Sequence, residues 1–196
     1  SLVQSTNSQS VCLIEKNKFN KLSTDSYSPL SLTLNSVKFL KEKDLWDEKS
    51  YKCRSINNLK IKLFNSFNTV NLNSKDINLI SLGSVVEKAS FLSYLRDLCN
   101  KNSNITVIDE VDIEFDNPLD PTKILNPISS VQYDYGKLII TDGANSKFAR
   151  ELKIGSTHID YNQTSYIFNA KYESSTDTAY QIFSKRGVFA ILPGSE

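Results

Sequence analysis

The spacing of apolar positions changes several times along the chain, and each change marks an element. Val11 to Ile14 form an unbroken apolar run closed by Glu15, the pattern of a parallel strand covered on both faces. After a polar stretch containing Pro29, the residues Leu32, Ser36, Phe39 and Leu40 recur at helical spacing and predict a helix reaching toward Leu45 and Trp46. Leu59, Ile61 and Leu63 then alternate with Lys60, Lys62 and Phe64, the mark of a half-exposed strand in an antiparallel sheet. Helical spacing returns at Phe91, Leu92, Leu95, Leu98 and Cys99. It predicts a helix over 88–100 that buries Phe91, Leu95 and Leu98, followed by a strand over 104–109.

The tract "DNPLDPTKILNP" carries Pro118, Pro121 and Pro127 and reads as a surface excursion, because proline cannot donate to a helix or a central ladder. "KLIIT" over 137–141 reads as a second buried strand. It runs into Asp142-Gly143, and Asn145 or Ser146 can cap a short helix starting near Lys147. Beyond it, 162–172 and 178–192 alternate in a Tyr- and Phe-rich pattern typical of strands.

These elements predict an α/β protein, α+β overall. Strands 11–15, 104–109 and 137–141 belong to a largely parallel sheet, and 162–172 with 178–192 to a separate antiparallel sheet. Because parallel and antiparallel character alternate twice, two interleaved domains are expected. Residues 1–50 and 83–155 form one, and residues 51–82 and 156–196 the other.

Composition narrows the function classes. The 196 residues are 39% hydrophobic and 23% charged, which is normal for a globular protein. A net charge of +1 from 23 basic and 22 acidic side chains, without a dense basic block, argues against nucleic acid as a partner. No apolar run approaches the length of a membrane span. Cys12, Cys53 and Cys99 are far apart and each lies in an apolar or strand-like stretch, which suits reduced core thiols and an intracellular compartment. His158 is the sole histidine and has no partner at ligand spacing, so neither a zinc site nor a Ser-His-Asp triad can readily be built. No metal is expected, no catalytic side chain is assigned, and any chemistry must come from carboxylates or a cofactor.

Two acidic positions suit a cofactor. A carboxylate at the carboxyl end of a buried strand, as at Glu15, is where a dinucleotide-binding fold accepts hydrogen bonds from ribose hydroxyls. The bland alternative is a charge marking the strand's exit into solvent. Only 14 residues precede Glu15 and none is glycine, so the glycine loop usual about 20 residues upstream is expected to lie outside this chain. Asp142 can accept hydrogen bonds from sugar or ribityl hydroxyls, and Gly143 allows close backbone approach. A purely structural turn is compatible with the same residues.

"LIITDGANSKFARELKI" resembles the Asp-Gly motif region of the class A flavoprotein aromatic hydroxylases, those built like para-hydroxybenzoate hydroxylase, and is most similar to the ubiquinone-biosynthesis hydroxylases. Four further segments resemble that family in the same order: "VCLIEK", "LSLTLNSVKFLKEKDLWDE", "LGSVVEKASFLSYLRDL" and "YQIFSKRGVFAILP". The chain departs from the pattern at Ser28, where many relatives carry Arg, and at Ala149, where an Arg is frequent and Arg150 stands one place later. The family's later Gly-Asp motif is absent.

The resemblance implies a parallel-sheet FAD-binding domain interleaved with a substrate domain, with Glu15, Asp142 and Gly143 toward FAD. It further implies NAD(P)H or another electron donor and hydroxylation of a phenolic, prenylated ring in ubiquinone biosynthesis. Association with other proteins of that pathway, and a cytoplasmic location or one peripheral to the inner membrane (on the matrix side in a eukaryote), go with it. Two alternatives stay open: a non-catalytic, flavoprotein-like accessory subunit, and a flavin hydroxylase or halogenase of another aromatic compound.

Overall fold

The computed structural model describes residues 10–18, 29–117, 123–170 and 177–194. The chain has mixed α and β structure with both parallel and antiparallel pairing, and its backbone contacts fall into two compact units.

The first unit spans 22–105 and 167–196, with the first residues of the chain. Its centre is a three-stranded antiparallel sheet in the order β2-β6-β3, from Pro29–Thr33, Gly83–Glu87 and Cys53–Ile56. Pro29 was expected in a loop, but it opens β2, a position where a missing N–H costs no ladder bond. The helix follows directly: α1 spans Leu34–Glu42, and the Thr33 hydroxyl accepts the Ser36 N–H at 3.2 Å as its N-cap. It stops short of Leu45 and Trp46 because Asp44 turns left-handed at φ 54°. The second helix, α2, spans Lys88–Lys101.

Strand β6 is the hub of this unit. Its alternating side chains point to opposite faces, and Val85 and Val86 are both fully buried. Val86 packs with Tyr51 and Phe91 under the helices, joined by Leu40, Trp46, Tyr94 and Leu95. Val85 packs on the other face with Ile56 and Ala179. The aromatic rings interlock: Tyr51 meets Phe91 edge-on at 4.9 Å and Trp46 at 5.4 Å between centroids, a geometry favoured by the ring quadrupoles. Burial pushes the Tyr51 hydroxyl well above the ordinary tyrosine range. The expected helical period holds, with Phe91 buried and Leu95 and Leu98 half-buried.

The same unit carries a four-stranded sheet in the order β12-β11-β4-β5, from Gly187–Ile191, Thr178–Ser184, Asn58–Leu63 and Thr69–Asn73. A wholly antiparallel sheet was expected here. Instead β4 and β11 run parallel from Asn58↔Thr178 to Leu63↔Phe183, because each is the first strand of its own hairpin and the long chain between them supplies the crossover that parallel neighbours require. A polar clamp fixes their register. The Asp177 carboxylate accepts the Asn57 and Asn58 side-chain amides, each at 3.2 Å, and the Asp177 carbonyl accepts both backbone N–H groups.

The second unit spans 12–21 and 106–166. It is founded on β1, Val11–Ile14, and β7, Ile105–Ile108. The Val11 N–H donates to Asn104 and the Glu15 N–H to Ile108, and the two numbers rising together mark parallel pairing, as the apolar run suggested. A meander β8-β9-β10 follows, from Glu114–Phe115, Lys123–Leu125 and Gln132–Asp134. The proline tract is thus not wholly a surface excursion: its Lys123–Leu125 forms β9, and Ile124 is 2% exposed; just before the tract, Phe115 packs edge-on against Phe148 at 5.1 Å. Pro118 and Pro121 lie outside the described residues.

Two expected strands are corrected. Residues 137–141 and 162–170 carry no ladder. A strand exists only through pairing, and among the described residues no backbone hydrogen bond joins 137–141 to a neighbour. Residues 171–172 and Ser28 lie outside the described residues.

Candidate cofactor-facing site

Glu15 stands one residue past β1, at its carboxyl end, held there by its own N–H bond to Ile108 at 2.9 Å. Its Oε1 accepts the Asn17 backbone N–H at 3.1 Å and the Asn17 side-chain amide at 3.4 Å. The carboxylate therefore closes a turn onto Asn17. Beside it, Lys16 Nζ pairs with Asp112 at 2.8 Å, and this cation holds the Asp112 carboxyl below the usual range. The strand end is ringed by charge and backbone donors already in use.

Asp142 and Gly143 lead into α3, Lys147–Glu151. Ser146 caps it as expected, its Oγ accepting the Ala149 N–H at 2.9 Å. Asp142 Oδ2 accepts the Lys147 N–H at 3.2 Å. The Ser146 hydroxyl, more than the helix N–H groups, draws the Asp142 pKa below its model-peptide value of 3.8. Anionic groups are favoured at this end of a helix because its first N–H groups lack internal partners. Gly143 adopts φ +99°, and no heavy atom lies within 4 Å of the position a Cβ would take. The turn is structural, and it also leaves an open backbone face.

Taken singly, these residues have the chemistry that sugar hydroxyls call for. They offer carboxylate acceptors and an approachable glycine, but they do not provide the fan of backbone N–H groups that a pyrophosphate requires. Two surface hollows lie elsewhere, in the first unit. One of about 570 Å³ is lined by Lys62, Phe64, Phe67 and Ile182, and one of about 470 Å³ by Ser90, Tyr94, Asp97 and Lys101. Both are open depressions, and neither touches Glu15 or Asp142. Sequence reasoning missed the Asp177 clamp, whose only signal was the pair Asn57-Asn58 opening a strand. The cysteines are free thiols, but Cys12 is exposed rather than in a core. No group of acidic, His or Cys residues suited to a metal occurs among the described residues, and no described helix is long and apolar enough to cross a membrane.

No protein-family model matches the chain, and no curated protein does. Solved structures do. The chain is similar to PqsL of Pseudomonas aeruginosa in complex with 2-aminobenzoylacetate, at 13% identity and a TM-score of 0.61, over 77% of this chain and 41% of that one. A PqsL variant with four substitutions matches over the same shares at 13% identity and 0.60. A third structure, of pqsL as "a probable FAD-dependent monooxygenase", matches over the same shares at 16% identity and 0.54. The chain spans about two fifths of the length of these structures and shares the fold of that part of PqsL.

Proposed function

We propose that this chain is part of an FAD-dependent monooxygenase that hydroxylates an aromatic ring, and that the ring is a prenylated phenol of ubiquinone biosynthesis. The fold shared with PqsL over 77% of the chain carries the reading. The 2-aminobenzoylacetate bound to that protein supports an aromatic substrate class, and the ordered motif segments support the phenolic one. Residues 1–50 and 83–155 would serve FAD, and 51–82 with 156–196 the substrate.

In this reading the flavin supplies the oxygen-activating chemistry, with electrons from NAD(P)H or another donor. The protein binds and orients. Glu15 at the end of β1 accepts from ribose hydroxyls, which requires its carboxylate to leave Asn17. Gly143 lets the cofactor approach the backbone, and Asp142, held ionised by Ser146, presents an acceptor beside it.

Purification of the full-length polypeptide with FAD tests the reading. A bound flavin spectrum and oxygen insertion into a phenolic substrate are expected. Glu15→Ala should weaken FAD binding roughly 10- to 100-fold, the worth of one or two hydrogen bonds to a charged group. A full-length protein that never takes up flavin would give the lead to the accessory-subunit reading.

A further inference from the structure

We infer that the end of the β12-β11-β4-β5 sheet bearing its two hairpin turns docks onto an anionic membrane surface. Because β4 and β11 are parallel, the turn after each falls at the same end of the sheet. Leu63 pairs with Phe183, and the Phe64 N–H donates to the Phe183 carbonyl at 2.8 Å, so the 64–68 turn and the Lys185-Arg186 turn are neighbours.

Both turns present bulky apolar side chains to solvent. Phe67 is fully exposed, Phe64 is 66% exposed, Leu63 57% and Val188 58%. A folded domain seldom displays such residues in a contiguous patch without a partner. Lys62, Lys185 and Arg186 accompany them, and none joins an ion pair found among the described residues. Nor does the sequence supply a neutralising acid: neither Leu59–Lys75 nor Thr178–Gly194 contains Asp or Glu. In a chain of net charge +1 this is a local concentration of positive charge.

Cations beside protruding Phe, Leu and Val are complementary to a lipid headgroup layer, in which phosphates meet the cations and the acyl boundary takes the rings. An edge of two turns suits shallow insertion, since the ladders behind it keep their hydrogen bonds and no unpaired strand enters the hydrocarbon. Charge complementarity and exposure carry this inference independently of the flavin reading, and it holds or fails separately.

Co-sedimentation with vesicles tests it, using phosphatidylcholine alone against phosphatidylcholine mixed with phosphatidylglycerol. Binding to the mixed vesicles and little to the neutral ones is expected. Lys185→Gln with Arg186→Gln should lower the partition coefficient roughly 30-fold at low salt, at about 1 kcal/mol per cation. Phe64→Ser with Phe67→Ser should lower it by roughly tenfold or more, with an unchanged circular dichroism melt showing that these exposed positions leave the fold intact. Several results would overturn the proposal: equal binding to both vesicle types, binding to neither, or variants that bind like the parent. So would self-association abolished by the Phe pair without vesicle binding, which assigns the edge to a second copy, or a preference for nucleic acid over vesicles.

Discussion

Replacing Gly83 with alanine tests the packing at the hub strand. A Cβ at this position would sit 2.5 Å from the Leu32 carbonyl oxygen, about an ångström short of ordinary contact. The obstacle is backbone. Leu32 and Thr33 face Ser84 and Gly83 in the β2-β6 ladder, so β2 can retreat only by stretching the bonds that hold it. Ile56 occupies the other side of Gly83 in β3, so β6 cannot slide away from β2 without loosening its second neighbour. Overpacking of this kind costs about 2 kcal/mol, which in a chain of this size lowers Tm by roughly 4–8 °C. Gly155→Ala is the matched control, because nothing lies within 4 Å of its Cβ position, and it should melt with the parent. Differential scanning calorimetry of the three proteins decides. If Gly83→Ala melts with the parent, or Gly155→Ala falls equally far, the close approach of β2 to β6 is refuted.

Other perturbations give separate readouts. Phe91→Ala should cost about 3–5 kcal/mol and shift the emission of Trp46, the single tryptophan, to the red as its aromatic neighbour is lost. Asp177→Ala leaves two part-buried amides, on Asn57 and Asn58, without their acceptor; a loss of about 1–3 kcal/mol in urea titration is expected. The depressed Asp142 pKa means that its carboxylate supports α3 fully above the unfolded value of 3.8, and that this support is lost as pH falls through the lower folded value. An NMR titration of the Lys147 amide should therefore show a midpoint below 3.8, abolished in Asp142→Asn. A midpoint above 3.8 would contradict the Ser146 and helix N–H contacts.

Periodicity found those elements whose burial is one-sided or complete within a few residues. The run Val11 to Ile14 was legible as a strand with a parallel partner, though Cys12 within it stays exposed, and Phe91, Leu95 and Leu98 share one helical stripe. Ser146 was legible as a cap because its hydroxyl acts locally, three residues ahead. Pairing was less legible. "KLIIT" and 162–170 have the composition of strands, but a ladder needs a neighbour, and side-chain alternation does not say whether one is present. The parallel β4-β11 register was invisible for the opposite reason: it depends on Asp177 finding Asn57 and Asn58 across the fold, with no periodic signal at either end. At the candidate site the turn chemistry of Asp142 and Gly143 could be read directly. The occupation of Glu15 by Asn17 could not, since it depends on how the chain bends after the strand.

The parallel pairing of β4 with β11 also sets a clock on synthesis. Asn58 and its partner Asp177 are separated by 119 positions. At roughly 5–20 residues per second, about 6–24 s pass between the emergence of one and of the other from the ribosome. Through that interval the β4-β5 hairpin has no neighbour on its inner edge, and a lone hairpin is marginally stable in water. Its apolar side chains and unpaired edge are then open to association with other chains. Chains truncated between β5 and β11 should therefore aggregate more readily than chains that extend past Asp177 and complete β11.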